Sequence, residues 1–484
     1  MRPHSILVSL VLAFVFVAFF SCKDDEISTN PNHQLAFSSD TIFFDTIFAE
    51  ISSVTGSFRF YNRNNKPLEI SKIELLGGEN SYFRLNIPNA GEQANNPTIY
   101  DVFIRAKDSL FVFVALTPPD LDSDTPQKIE DDLVFYVNGN RQVVKLLAYS
   151  QSVVCPDAAV GSYVFTEKRP YLIKNEMQIS GDATFNAGAR VFMRDKVNLV
   201  IGGNLTIDGT QEKPVVIRGD RLDYMTQKLP YDFLPGQWGS IKLTATGATH
   251  NINHAFIRNG QTGLNIEGEN ITLNIKNSWI HNFDDYGIIA RNSVVNVANS
   301  QITNCGISCV DIAGGESEFT FVTFGNYYRT FRPSATNRSR TTSSVVISNY
   351  INDESGEIKN PMPVNNANFI NCLIFGNYNP ELTLNEMEDV PFNYSFSHCL
   401  IRKKEIENDR FDNIVWLERD ENKIFVSITD TLNFRLKEDS PAINKGTKDF
   451  TNWNLFSLDF DGNSRYTDDA PDIGAFEFVP QINE

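Results

Sequence analysis

The sequence predicts an all-β protein, with a β-sandwich in the first third of the chain and a coil of stacked parallel strands in the rest. Two observations predict this class. Residues 35–154 are short segments of alternating apolar and polar residues between turn residues, and none keeps the 3.6-residue period of a helix. From about residue 161 onward the chain repeats itself, with a period of 22 residues in its middle part.

The first 21 residues are typical of a bacterial signal peptide. Arg2 supplies the positive charge, and residues 6–20 form an apolar run shorter than the roughly 20 residues that span a membrane. The segment Phe19-Phe20-Ser21-Cys22 resembles a lipobox, although Phe19 stands where Leu is usual. The resemblance implies that Cys22 is acylated and that the acyl chains anchor the protein to a membrane. The alternative is an ordinary secretory signal with an incidental Cys.

Residues 22–34 are polar and are predicted to be a tether. Lys23-Asp24-Asp25-Glu26 resembles the tag, a Lys followed by acidic residues, that sends some Gram-negative lipoproteins to the outer cell surface. We therefore expect an outer-membrane lipoprotein exposed at the cell surface. A solvated linker without an address is the alternative.

Charge and cysteine content limit the classes of function. The chain has 42 basic and 60 acidic residues, a net charge of −18, which argues against nucleic acid as a partner. The cysteines show no zinc-ligand spacing. Cys372 and Cys399 occupy the same place in similar segments, and Cys305 and Cys309 straddle a turn. Each pair is either a disulfide or two buried thiols, and Cys155 is left over.

Residues 35–154 are predicted to form an immunoglobulin-like β-sandwich of about 110 residues. Strand-like segments such as Ser57–Tyr61 and Leu110–Val114 alternate with turns, and Asn138-Gly139 is a strong hairpin signal. The segments around Pro67-Leu68 and Leu116–Pro119 resemble those of sandwich modules that act as spacers. A spacer role is expected here, with glycan or partner binding as the alternative.

Three columns of residues define the repeat of the larger domain. They are Ile275, Val297 and Phe319; Ile280, Ile302 and Phe324; and Asn282, Asn304 and Asn326. In a coil whose turns stack at the β spacing of about 4.8 Å, equivalent positions superpose, so the apolar columns must point inward. The Asn column suits a tight turn with positive φ, where amides bond between turns and fix the register.

Residues 197–217, 236–242, 371–377 and 397–401 resemble turns of right-handed parallel β-helix repeat proteins, the architecture of pectate lyases. The ending, Ser440–Ile443 and Pro471–Glu477 among other segments, resembles a recurring C-terminal segment of extracellular β-helix proteins. The resemblance covers roughly residues 160–478. It implies a β-helix over 155–439 and a C-terminal capping segment over 440–484. It does not imply one function, because this architecture carries lyases, hydrolases, epimerases and adhesins.

Four residues are candidates for catalysis. Arg258 and His281 immediately precede Asn259 and Asn282 of the Asn column, so they should stack on the outside of the coil, with Asp284 and Asp285 close by. Such a set suits proton abstraction beside a uronate carboxylate. A solvated ion cluster is the alternative.

Two insertions are candidates for ligand binding, because loops on a rigid scaffold often carry binding sites. Residues 222–238 are rich in aromatic residues, and residues 327–340 carry four Arg on an acidic chain. Aromatic faces stack on sugars, and Arg binds carboxylate or sulfate. The candidates are Tyr224, Tyr231, Trp238, Arg329, Arg332, Arg338 and Arg340. The alternative is that both loops merely cover the coil.

No cofactor is expected, and calcium is an alternative at Asp459 and Asp461. An EF-hand is excluded because Ser464 and Ala470 stand where that loop needs Gly and Glu. A different loop would add Asp468 or Asp469. The structural interpretation is that Arg465 and the acids tie the C-terminal segment to the last turn of the coil and cap its open end.

Taken together, these features predict a cell-surface lipoprotein whose β-helix binds extracellular polysaccharide without cleaving it. The alternatives are a polysaccharide lyase or glycoside hydrolase, acting near the four catalytic candidates, and a structural adhesin. Protein partners are not predicted.

Overall fold

The computed structural model describes residues 26–53, 55–226, 229–328, 340–353, 356, 359–419, 423–429, 432–467 and 469–480. The signal peptide and Cys22 lie outside these residues. The chain divides into two compact units between Ser152 and Val153. The predicted all-β class with a large parallel solenoid is confirmed.

The first unit consists of two sheets. An antiparallel sheet has the strand order Ala36–Phe37, Gly56–Tyr61, Ser109–Leu116, Phe83–Asn86. The other has the order Thr41–Phe48, Asn140–Gln151, Gln127–Val137, Leu68–Leu75, Thr98–Ile104, and only its first pair is parallel. Short 3₁₀ turns lie at Gly78–Asn80 and Pro88–Gln93. Buried side chains of both sheets, such as Phe60 and Phe135, form one core, so the unit is a β-sandwich.

The sandwich confirms the hairpin at Asn138-Gly139, where φ is 50° and 78°, as a type I′ turn requires. The sandwich also forms hydrogen bonds to residues 28–33, which precede its first strand. The backbone N–H of Ser28 donates to the carbonyl of Pro67 at 2.9 Å, and the Asn138 amide donates to the carbonyls of Asn30 and His33 at 3.0 Å each. Residues 28–34, predicted to be a solvated tether, are therefore packed on the sandwich.

The second unit is a parallel β-solenoid with three faces, and each strand pairs with the strand one turn away. The first face contains Ala159–Val160, Met177–Ile179, Leu199–Ile201, Ile241–Leu243, Leu264–Ile266, Val345–Ser348 and Leu382–Asn385. The second contains Tyr163–Phe165, Ala183–Asn186, Leu205–Asp208, Thr249–Asn253, Thr272–Lys276, Val364–Ile370, Ser395–Ser397 and Phe411–Asp412. The third contains Tyr171–Ile173, Arg190–Met193, Val215–Gly219, Ala255–Arg258, Trp279–Phe283, Leu373–Gly376, Leu400–Ile401 and Val415–Trp416.

Two long strands, Tyr286–Cys305 and Ser308–Asn326, pass through all three faces. The described residues also form three antiparallel hairpins that are not part of the parallel sheet: Tyr224–Thr226 with Leu229–Pro230, Tyr350–Asn352 with Lys359–Pro361, and Phe425–Ser427 with Asn433–Leu436. Short 3₁₀ turns lie at Tyr231–Phe233 and Trp453–Phe456.

The predicted columns are present in the coil. Ile275 pairs with Val297, and Val297 pairs with Phe319, all of them buried. The Asn304 amide donates to the Asn282 carbonyl oxygen at 2.8 Å, and both residues have positive φ. Asn326 departs from the ladder, because its amide bonds the backbone of Cys305 instead. Equivalent residues 22 positions apart therefore pair between adjacent turns, and these contacts fix the register of one turn on the next.

The described residues between 423 and 480, here called the tail, lie along the third face rather than over the open end of the coil. The ring of Phe460 stacks on Phe256 at 6.3 Å, and the N–H of Gly474 donates to the carbonyl of Asn371 at 2.9 Å. The Gln211 amide donates to the carbonyl of Asp461 at 2.5 Å. The tail covers apolar side chains that point outward from this face, so the predicted end cap is wrong for these residues.

The described cysteines are free thiols, and all except Cys155 are buried. Cys372 and Cys399 are neighbours in adjacent turns, where the N–H of Cys372 points at the Cys399 sulfur at 3.4 Å. Among the described residues, no helix is long and apolar enough to cross a membrane.

Candidate functional site

Both predicted insertions leave the coil at the same corner, where third-face strands turn toward the first face. The first follows Val215–Gly219, and the second follows Asn326 at the end of its long strand. Between them the corner makes only short turns, such as the one from Phe283 to Tyr286. We call residues 220–237 the aromatic insertion and this region the loop corner.

The aromatic insertion is held to the coil by side-chain amides. Asn259 donates to the carbonyls of Asp232 at 2.7 Å and Leu234 at 3.3 Å. Gln237 donates to the carbonyls of Tyr231 at 2.5 Å and Leu234 at 2.7 Å. These bonds satisfy backbone groups that an irregular loop would otherwise leave without partners, so residues 231–237 have a defined conformation.

One carboxylate ties the insertion to two arginines of the third face. Asp232 lies 3.1 Å from the guanidinium of Arg218 and 3.3 Å from that of Arg258. Burial lowers the pKa of Arg218, and Asp232 opposes this effect. Arg258, a catalytic candidate, therefore helps to anchor the insertion.

The outer part of the insertion presents aromatic side chains. Tyr224 is 56% exposed. The Arg221 guanidinium lies 3.8 Å from the centroid of the Tyr231 ring and bonds both carboxylate oxygens of Asp223 at 2.7 Å. The bond to Asp223 raises the pKa of Arg221, which stays charged. Of these side chains Tyr224 is exposed, whereas Tyr231 and Arg221 are half-buried.

Trp238 belongs to the core rather than to this surface. It is 1% exposed, its indole N–H donates to the carbonyl of Arg258 at 2.8 Å, and its ring contacts Phe283 edge-on at 6.2 Å. Gly260, one turn later, leaves room for the ring, because a Cβ there would lie 2.9 Å from it. The prediction of an exposed Trp238 is wrong, since the residue already belongs to the regular coil.

Arg329, Arg332 and Arg338 lie outside the described residues, and Arg340 is buried. The Arg340 side chain is 1% exposed and pairs with Glu381, which is fully buried, at 2.5 Å. It also donates to the carbonyl of Asn326 at 2.6 Å. Arg340 closes the second insertion onto the coil and presents no guanidinium to a ligand, contrary to its prediction as a binding residue.

Arg258 and His281 stack as predicted, because they are register partners on the outer side of the third face. His281 is 7% exposed, its Nδ1 lies 2.9 Å from the Thr303 hydroxyl, and its ring contacts Trp279 at 4.6 Å. Burial lowers the pKa of His281 to about 3. The tail covers this column, because Phe434 packs directly over Gly325. His281 is therefore a neutral, covered side chain, and the expectation that it stays accessible is wrong.

Asp284 and Asp285 lie at the loop corner and have partners of their own. The Tyr328 hydroxyl donates to Asp284, and the Gln261 amide donates to Asp285 at 2.6 Å. Asp284 is 8% exposed, whereas Asp285 is half-buried.

The described residues contain no group of three His, Cys, Asp or Glu side chains that would hold a metal. Asp459 accepts bonds from the backbone N–H of Asn463 at 2.6 Å and of Glu477 at 2.8 Å. Asp461 pairs with Arg435 at 2.5 Å. Asp468, a further calcium candidate, lies outside the described residues.

Arg465 locks the tail to the coil, as predicted, but at its middle rather than its last turn. Its guanidinium donates to Glu477 at 2.5 Å and to Asn299 at 2.9 Å, and lies 3.8 Å from the Phe321 ring centroid. Burial raises the pKa of Glu477 to about 7, opposed by Arg465. Burial also lowers the pKa of Arg465.

A polar groove that sequence reasoning missed lies on the tail. It has a volume of about 760 Å³, and its lining includes Val426, Arg435, Lys437 and Asp461. Arg435 and Asp461 already bond each other across it. The only signal in the sequence was the charged composition of this segment.

No protein-family model and no curated protein matches the chain. The solved structures that are similar to parts of it include the following three. A protein of unknown function from Porphyromonas gingivalis W83 is 12% identical over 27% of this chain and 50% of its own, with a TM-score of 0.19. A family 123 glycoside hydrolase from Clostridium perfringens is 8% identical over 27% and 30%, with a TM-score of 0.17. The VesB protease of Vibrio cholerae is 14% identical over 25% and 33%, with a TM-score of 0.18. The chain spans half or less of each, and such TM-scores carry no argument about function.

Proposed function

We propose that this chain is an exported, lipid-anchored protein of the cell surface whose solenoid binds extracellular polysaccharide at the loop corner. One observation carries the proposal. The insertion is bonded to the coil through residues 231–237, and its hairpin holds Tyr224 56% exposed, paired in register with Pro230, the residue before Tyr231 of the Arg221–Tyr231 contact.

The chemistry of this surface fits a glycan. Exposed rings stack on the apolar faces of sugars, and a guanidinium bonds carboxylate or sulfate groups through two parallel N–H donors. Because residues 231–237 are already bonded to the coil, binding does not have to order them, which favours affinity. The Arg221 guanidinium already bonds Asp223 through two of its donors, so the stacking face of Tyr224 is the group that would select a glycan.

The catalytic candidates support binding rather than turnover at this site. His281 is covered by the tail, and Arg258 pairs with Asp232. A lyase or hydrolase acting elsewhere on the chain, and an adhesin without a small ligand, are the other outcomes of the test.

The test uses the soluble chain from Lys23 with a panel of neutral, uronate and sulfated polysaccharides, and measures binding and new chain ends together. We expect binding to at least one polysaccharide of the panel without new ends. Tyr224→Ala should weaken it about two- to tenfold, the equivalent of about 0.5–1.5 kcal/mol for one aromatic contact. Tyr100→Ala, at an equally exposed ring of the first unit, is the control. Equal binding by both variants would place the ligand elsewhere on the chain. New chain ends would show that the protein is an enzyme. No binding to any polysaccharide of the panel would favour the structural adhesin.

The anchor has its own test. Labelled fatty acid should be incorporated into the wild-type chain but not into the Cys22→Ser variant, which should leave the membrane fraction. Protease added to intact cells should cut the wild-type chain if it is displayed on the surface.

A further inference from the structure

We propose that one end of the sandwich docks on the anionic lipid headgroups of the membrane to which Cys22 is anchored. The inference rests on the proposed acylation and goes beyond it, because it assigns a second contact and an orientation. Its basis is a separation of charge between the two ends of the sandwich and the short length of chain before it.

Strand register brings three turns together at this end, which we call the basic end. Tyr61 pairs with Ser109, Leu68 pairs with Ile104, and Val137 pairs with Asn140. Loops 62–67 and 105–108 and the turn at 138–139 therefore lie side by side. The segment before the first strand reaches the same end, because Ser28 bonds the carbonyl of Pro67.

The basic end carries five exposed cations on a chain of net charge −18. They are Arg63, Lys66, Arg105, Lys107 and Arg141. The acids beside them are Asp108 in loop 105–108, Glu69 at the start of its strand, and Glu26, which pairs with Lys66 at 2.8 Å. With Lys23, Asp24 and Asp25 of the connecting chain counted as well, six cations stand against five acids, so the excess that attracts phosphate is one charge.

The opposite end of the sandwich has the reverse charge. Loops 49–55, 76–82 and 117–126 carry acids and contain no Lys or Arg. The acids are Glu50, Glu79, Asp120, Asp122 and Asp124. A negatively charged surface repels this end and attracts the basic end, so the field orients the sandwich.

The basic loops are tied to one another. The Asn62 amide donates to the carbonyls of Lys66 at 2.8 Å and Arg105 at 3.0 Å. The Lys107 ammonium donates to the carbonyl of Arg63 at 2.6 Å. The cations therefore stand on one fixed surface and meet a membrane together.

The connecting chain keeps this surface near the bilayer. Only six peptide units separate Cys22 from Ser28, and fully extended they reach at most about 20 Å. Exposed charges attract over about one Debye length, roughly 8 Å at physiological ionic strength. The connecting chain is longer than this range, so it does not hold the basic end on the bilayer, but it returns the cations to the headgroups at a high effective concentration.

The test couples the chain from Cys22, with Cys155→Ser, through the Cys22 thiol to a maleimide lipid in vesicles. The vesicles are phosphatidylcholine alone or a mixture with phosphatidylglycerol, and acetylation rates are measured by mass spectrometry. We expect Lys107 to react more slowly on the anionic vesicles, on the order of tenfold at low salt, with the difference lost at high salt. Lys128, which lies toward the acidic end, is the internal control. Equal Lys107 rates on both vesicles would overturn the proposal.

A charge-reversal variant assigns the contact to these loops. Arg63→Glu with Arg105→Glu should abolish the Lys107 difference, whereas Lys128→Glu should preserve it, with unchanged melting temperatures showing that each variant folds. Persistence of the difference in the double variant would refute docking through the basic end. Because the coupling supplies the anchor chemically, either result is independent of whether cells acylate Cys22.

Discussion

Replacing Arg465 by Met should release the tail from the coil without unfolding the coil itself. The guanidinium is fully buried and bonds Glu477, Asn299 and the carbonyls of Gly474 and Ala475. Met fills much of the same space but leaves the Glu477 carboxyl buried without its cation.

The structure gives the size of the effect. Removing one partner of a buried ion pair costs about 3–5 kcal/mol. The cation–π contact with Phe321 is lost at the same time and is not added, because contributions within one network are not additive. A loss of this size raises the population of the open tail by a factor of about 10²–10⁴.

The loss should also depend on pH, in a direction that Glu477 sets. Its folded pKa of about 7 lies above the ordinary value of 4.5 because of burial. A raised carboxyl pKa stabilises the docked tail below about pH 4.5, and that contribution disappears as the pH rises to about 7. Without Arg465 the carboxylate is still less tolerated, so the deficit of the variant should be larger at high pH.

Hydrogen exchange of two amides reports tail opening directly. The N–H of Gly474 bonds the carbonyl of Asn371, and the N–H of Ala475 bonds the Thr323 hydroxyl at 2.9 Å. Exchange at both should accelerate in Arg465→Met, and more at about pH 8 than at about pH 5. Arg435→Met, which breaks the half-exposed pair with Asp461, should cost only about 0–1 kcal/mol. Exchange within about threefold of wild type at both pH values would refute the reasoning.

Three further predictions concern the coil. Arg340→Met should lower the free energy of unfolding by about 3–5 kcal/mol in urea titrations, because it leaves Glu381 buried and unpaired. The control is Lys213→Met, which breaks the exposed pair with Glu167 and should lower the free energy of unfolding by only about 0–1 kcal/mol. Asn304→Ala should cost about 1–3 kcal/mol in the same assay, and more than Asn296→Ala in the less buried ladder; equal costs would contradict the role of burial. His281 should show no NMR titration shift near its ordinary pKa of 6.5, because burial lowers its pKa to about 3. Its contribution to stability is therefore fully present above pH 6.5 and is lost as the pH falls toward 3. A titration shift near 6.5 would show that the ring is accessible to water.

The coil could be predicted because repetition turns sequence spacing into contact. Ile280 and Ile302 are 22 residues apart and are register partners, so the core follows from the period. The same spacing separates Trp238 from Gly260, which form a bridge, and this was the available signal that Trp238 belongs to the coil and not to a binding loop.

Contacts between residues that are not one repeat apart cannot be predicted from the spacing of residues in the sequence. Arg465 bonds Asn299 across 166 residues, and neither residue lies in a periodic relation to the other. Arg340 and Glu381 occupy adjacent turns but are 41 residues apart, because the hairpin Tyr350–Pro361 interrupts the period. Sequence reasoning therefore identified the two insertions and missed which of their charged side chains are buried.

Because the tail packs on coil strands that precede it in the chain, the coil must form before the tail can dock during folding. The Gln211 amide bonds the carbonyl of Asp461, which lies 250 residues later in the chain. The tail also buries three apolar side chains of the coil, Leu373, Phe375 and Leu400. None of these contacts can form before the tail is present. Until the tail has docked, the coil carries an uncovered apolar strip of the kind that aggregates. A fragment cut after the last coil strand keeps that strip permanently, so an intact C-terminus is a condition of solubility.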